Sequence, residues 1–162
     1  MVKFRPTVYE EGDFRSYKYI GSADITEGTY CKVSSTISHS YQGVVKFTGN
    51  PVSVTGTNVT TGSVLKWAYD QTRYFPVKKS EPDPEDVTPT ISQNDYVIGF
   101  FGKEYEVHSD LSACLITTYT VGGRVALAST GLITAAGATY DTGLQIGECV
   151  GTFNSTWIRV RI

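Results

Sequence analysis

A chain of 162 residues with 40% apolar, 12% aromatic and 19% charged residues can bury a substantial core and is too apolar to be disordered. Its 14 basic and 16 acidic residues leave a net charge of −2, without the basic excess that nucleic-acid phosphates demand. No run of about 20 apolar residues is present to span a membrane as a helix, and Met1–Pro6 has no apolar stretch of secretory-signal length.

Residues 1–16 place Phe4, Tyr9 and Phe14 among charges, with Pro6 and Gly12 and no steady period. This predicts an extended arm, either a frayed terminus or, as the aromatics favour, a segment laid on a neighbouring subunit, with Phe4, Arg5, Tyr9 and Phe14 as candidate protein–protein contacts. Residues 17–162 are predicted to form a single β domain. Its first strands are Tyr17–Ile20, Thr29–Val33, Val44–Thr48, Val52–Val54, Ser63–Tyr69 and Arg73–Val77, with Tyr69–Thr72 as a hairpin loop. β-Branched and aromatic residues dominate these runs, which favours sheet over helix.

Residues 78–90 hold Pro82, Pro84 and Pro89 among Glu81, Asp83, Glu85 and Asp86. Prolines so close together exclude a helix and a central strand, so an exposed loop is predicted. Tyr96–Phe101, Lys103–Val107, Ala113–Tyr119, Gly123–Ala128, Gly131–Thr134 and Leu144–Val150 follow as strands. The last, Trp157–Ile162, alternates cleanly, with Ile158, Val160 and Ile162 on one face and Trp157, Arg159 and Arg161 on the other. No window has a helical period; at most one turn forms, over 91–95 or 109–114. The expected fold is all-β, a barrel or sandwich of short antiparallel strands with little or no helix. A reused turn punctuates it, with Gly28, Gly62 and Gly123 each placed just before a strand in segments 25–31, 59–65 and 120–126.

Catalytic chemistry has little to stand on. His39 and His108 are the two imidazoles, and neither lies near a nucleophile elbow. Glu104, Glu106 and His108 share one strand face at i, i+2 and i+4, with Tyr105 and Val107 facing inward. One divalent ion would reach all three awkwardly, since same-face neighbours stand about 7 Å apart; a solvated outer face is the favoured reading. The acidic residues of 81–86 lack the glycine and spaced glutamate of a calcium loop. Cys31, Cys114 and Cys149 are far apart in apolar runs and read as buried thiols made in a reducing cytoplasm. Asn58-Val59-Thr60 and Asn154-Ser155-Thr156 match the glycosylation pattern, which is short enough to recur by chance. No cofactor and no metal are expected.

From residue 95 onward the chain resembles the head-decoration, or capsid cement, proteins of tailed bacteriophages. The resemblance rests on Tyr96–Phe101, Tyr105–Val107, Gly123–Ala135, Gln145–Cys149 and the closing Trp157–Ile162. It covers about 70 residues and consists of strand grammar rather than invariant chemistry. It implies a β-barrel or β-tulip-like module without an active site that sits on the outer surface of the capsid. There it would bind the major capsid protein and itself as a homo-oligomer, a trimer before a dimer, after synthesis in the host cytoplasm. Arg159 and Arg161 join the candidate contacts, with edge-strand solubility as their alternative role. A tail or fibre module binding host-surface glycans is the alternative function.

Overall fold

The computed structural model describes residues 4–38, 41–47, 74–80, 90–108, 119–127, 130–135 and 144–162. The predicted strands at 52–54 and 63–69, the hairpin loop at 69–72, most of 113–119, His39, Asn58, Gly62, Cys114 and the loop residues 81–89 lie outside them.

The described chain is all-β. Its strands are β1 (Phe4–Val8), β2 (Phe14–Tyr19), β3 (Ile25–Thr26), β4 (Tyr30–Ser38), β5 (Tyr41–Lys46), β6 (Phe75–Lys79) and β7 (Thr90–Ile91). They continue as β8 (Tyr96–Phe100), β9 (Glu104–His108), β10 (Arg124–Leu127), β11 (Ile133–Ala135), β12 (Leu144–Phe153) and β13 (Trp157–Arg161). Strands β2, β5, β4, β6 and β8 close a barrel in that order, in which β2 and β5 run parallel and the other neighbours antiparallel. A six-stranded antiparallel sheet has the order β1-β9-β13-β12-β10-β11, and β3 pairs with β7 in a two-stranded ribbon.

Two clusters of buried side chains follow from strand alternation. The barrel interior takes Tyr17, Val44, Cys31, Phe75, Val77 and Val97, drawn from all five strands, and Ile25 and Ile91 of the ribbon join it. The second cluster lies between barrel and sheet: Tyr30, Phe47 and Phe100 meet Tyr105, Ile158 and Val160. Tyr30 ties the layers together. Its N–H donates to the Gly131 carbonyl at 2.7 Å, its carbonyl accepts from Phe47 N–H at 2.9 Å, and its hydroxyl meets that of Tyr105 at 2.5 Å, both buried. Burial, then the neighbouring Tyr30, pushes the Tyr105 hydroxyl well above its ordinary pKa, so that hydroxyl stays neutral.

The N-terminal segment corrects the predicted arm. Residues Phe4–Val8 form the edge strand of the six-stranded sheet, paired with β9 through Phe4↔Val107, Arg5↔Glu106 and Pro6↔Tyr105. Phe4 is 1% exposed and packs on Phe100 and Tyr105 with ring centroids 5.9 and 5.2 Å away. It belongs to the core and is withdrawn as a contact candidate. Pro6 is tolerated because an edge strand has one side on which a missing N–H costs nothing, and the register shifts between Pro6 and Val8. A 3-10 turn at Glu11–Asp13 then hands the chain to the barrel, where Phe14 opens β2.

The expected helical turn at 91–95 is a β-turn. Asp95 N–H donates to the Ser92 carbonyl at 3.0 Å, the Asp95 carboxylate accepts from Ser92 N–H at 2.8 Å, and Asn94 takes φ 73°. The reused glycine turn is real in two copies, with a shifted alignment. Thr26-Glu27-Gly28-Thr29 and Thr120-Val121-Gly122-Gly123 both close by an N–H···O bond from fourth to first residue, at 3.2 and 2.7 Å. Their third residues, Gly28 at φ 86° and Gly122 at φ 83°, are the equivalents, so Gly122 and not Gly123 fills the left-handed position.

Candidate interaction surface

One face of the six-stranded sheet covers the core; the other carries charge. Register places its residues in rows across the strands. One row runs Glu104 (β9), Arg161 (β13), Glu148 (β12) and Arg124 (β10), so signs alternate over four neighbouring strands. The next runs Arg5 (β1), Glu106 (β9) and Arg159 (β13). A third pairs His108 with Trp157 and Trp157 with Phe153. Opposite charges directly across strands are the favourable arrangement in an antiparallel sheet.

Depth separates the two signs. Glu104 and Glu106 are 7% and 4% exposed, whereas the arginine side chains above them are exposed by 50% (Arg5), 33% (Arg159) and 56% (Arg161). Glu106 Oε2 accepts from Arg5 Nε, and its Oε1 accepts from Arg159 Nε at 3.1 Å and Nη2 at 2.6 Å. Glu104 Oε2 accepts from Arg161 Nε at 3.3 Å, and its Oε1 lies 3.5 Å from Arg159 Nε. Burial pushes the Glu106 carboxyl up, but the bonds and charges of Arg159 and Arg5 outweigh it and hold the group below the usual carboxylate range. Glu106 is therefore held ionised beneath its two guanidiniums.

Aromatic rings fix the guanidiniums sideways. Arg5 Cζ stands 3.9 Å from the centroid of the Trp157 ring and Arg159 Cζ 4.4 Å from that of Phe153, both cation–π distances. His108 meets Trp157 edge to face at 5.4 Å. The predicted geometry of Glu104, Glu106 and His108 on one face, with Tyr105 and Val107 inward, holds, but the solvated-face reading does not: both carboxylates lie buried under arginine. Among the described residues no group of three metal-ligating side chains is placed to hold an ion.

Of the candidate contacts, Arg5, Arg159 and Arg161 come together here, and Trp157 joins them. Tyr9 and Phe14 lie elsewhere, at the junction of barrel and sheet. Their rings meet at 4.9 Å, Phe14 also packs on Phe100 at 5.7 Å, and Tyr9 is 53% exposed. Cys31 and Cys149 are buried free thiols, and burial raises the pKa of both.

The part sequence reasoning missed is the link between β1 and the acidic face. Arg5 stands 101 residues from Glu106, and no local pattern announces the pair. The alternation of Trp157, Arg159 and Arg161 against the alternation of Glu104 and Glu106 was the signal available, since matching two-residue periods of opposite charge suit neighbouring strands. Compared with known proteins, the chain matches no family model and no curated sequence.

Proposed function

We propose that the protein is a structural virion protein that binds the outer surface of a phage capsid and stabilises it, acting through protein–protein contact. One observation carries the contact part of this reading: a partly exposed guanidinium and indole surface, held in place from below by buried carboxylates, on the charged face of the six-stranded sheet. Arginine and tryptophan are the residues that dominate protein–protein hot spots. The capsid itself enters through the resemblance of residues 95–162 to decoration proteins. Many copies on a lattice gain avidity from individually weak contacts, so no deep pocket is required.

The test is a capsid pull-down and protection assay. Purified protein added to undecorated capsids should co-sediment with them and raise their resistance to heat and to low ionic strength. Neither binding nor protection would overturn the proposal. Binding to a host-surface glycan array without binding to capsids would favour the fibre-module alternative.

A further inference from the structure

Among the described residues the arginine face has donors to spare. Arg5 uses Nε on Glu106, which leaves its Nη1 and Nη2 edge without a protein partner among the described residues. Arg159 spends Nε and Nη2 on Glu106, leaving Nη1. Arg161 spends Nε on Glu104 and sets Nη1 3.7 Å from Glu148, leaving Nη2. A guanidinium that keeps an open edge while its other edge and its ring face are fixed is preorganised to take a planar carboxylate.

Spacing defines the ligand. Arg159 and Arg161 are two residues apart on β13, so they repeat every ~6.8 Å along the strand. An extended peptide with acidic residues at alternate positions repeats at the same distance. A phosphate backbone suits the face poorly, because Glu148, 45% exposed, flanks Arg161 and breaks the positive surface.

The chain's own sequence contains such a segment. Glu81-Pro82-Asp83-Pro84-Glu85 sets acids at alternate positions, Asp86 follows, and no lysine or arginine lies between residues 80 and 90. A residue before proline is biased toward extended backbone, so a peptide of this sequence loses less ordering entropy when it binds in extended form. The described chain stops at Ser80 after β6 and resumes at Thr90 in β7, in the barrel and the ribbon packed on it. The arginine face is turned away from the barrel. We infer that the arginine face of the six-stranded sheet captures the acidic segment 81–86 of a second copy of this chain, giving a head-to-tail contact between copies.

Such a contact joins two different surfaces, so it propagates from copy to copy and ends when a ring closes. It rests on reading the face as a protein contact, but not on the capsid, and its test contains no capsids. Oligomeric state is measured by light scattering and sedimentation for the wild-type chain, for Glu81→Gln/Asp83→Asn/Glu85→Gln/Asp86→Asn, and for Arg5→Gln/Arg161→Gln. The segment variant touches no described core residue, so it stays informative if the face variant proves unstable by urea unfolding.

The wild type should assemble at about 0.02 M salt and disperse at about 0.5 M, where the Debye length falls below the spacing of the pairs. Each variant alone should lose self-affinity about 30-fold, as expected for two or three exposed pairs. Mixed together, they should recover a single 1:1 dimer, because one supplies an intact face and the other an intact segment. A wild type that stays monomeric at low salt, a segment variant that assembles like the wild type, or a mixture without the dimer would each overturn the inference. If assembly fails while capsids are still bound and protected, the functional proposal survives and this one does not.

Discussion

Arg159 and Glu106 are mutual partners, yet removing one costs far more than removing the other. Arg159→Met deletes two hydrogen bonds to a carboxylate that is 4% exposed and leaves it with Arg5 alone. Bonds to charged groups contribute about 1.5–3 kcal/mol each, and orphaning a buried charge costs roughly 3–5 kcal/mol. The methionine stem recovers part of the packing over Phe153, so a loss of about 3 kcal/mol is expected. Glu106→Gln keeps shape and one acceptor oxygen, and the freed arginines, 33–50% exposed, turn to water; about 1 kcal/mol is expected. The double variant removes both charges together and should cost about 2 kcal/mol, less than the two single losses combined. Urea unfolding followed by far-ultraviolet circular dichroism measures all three; guanidinium chloride is avoided because it screens the pairs. If Glu106→Gln proves the costlier single change, or if the two losses simply add, the layered account of carboxylates below and guanidiniums above is wrong.

Phe4→Ala should lose about 3–5 kcal/mol in the same assay, because a buried phenylalanine and the anchor of β1 disappear together; a change below about 1 kcal/mol would mean that the segment is an arm after all. At the β12–β13 hairpin, Asn154 and Ser155 hold φ 50° and 54° and Thr156 N–H donates to the Phe153 carbonyl at 3.0 Å, a turn with a serine at positive φ, where glycine is preferred. Ser155→Gly should therefore gain about 0.5–1 kcal/mol in thermal or urea unfolding, the strain relieved less the added unfolded-state entropy. The lowered Glu106 carboxyl sets the acid limb: its contribution is fully present above the unfolded carboxylate value of about 4.3 and is lost as pH falls toward its lower folded value. Unfolding free energy measured from pH 6 down to pH 3 should decline in the wild type and decline less in Glu106→Gln. At the alkaline end Tyr19 is pushed up to about 12 by burial, then by Cys31 and Asp24. Its contribution holds below about pH 10 and fades toward 12, so ultraviolet titration should show its ionisation delayed beyond that of exposed tyrosines.

Strand identity was legible wherever one strand carried its own period. Trp157–Arg161 alternates in burial as its letters do, and the inward placement of Tyr105 and Val107 follows from their positions between Glu104, Glu106 and His108. What the letters of one strand do not show is what lies across from it. Buried glutamates contradict the usual meaning of an acidic strand face, and they are buried because arginines 53, 57 and 101 residues away lie over them. Phe4–Val8 was hidden for a related reason: Pro6 and the register shift beside it erase the alternation that five residues would otherwise show. The parallel pairing of β2 with β5 also has no local signature, since parallel and antiparallel strands differ in their partners rather than in their own composition.

The place of β13 has a consequence for how the chain is made. Formed from residues 157–161, it sits inside the six-stranded sheet, between β9 and β12, while β1 is held at the edge by β9. During synthesis, β9 and β12 are both finished before the strand that belongs between them exists, and each meanwhile presents an unpaired edge. Synthesis at about 5–20 residues per second makes that interval long compared with hairpin formation. A chain cut short just before Trp157 would keep the barrel strands and nearly all of its apolar residues, yet leave two adhesive edges facing each other across an empty lane. Loss of so few residues should therefore appear as insoluble protein more than as a weakened fold.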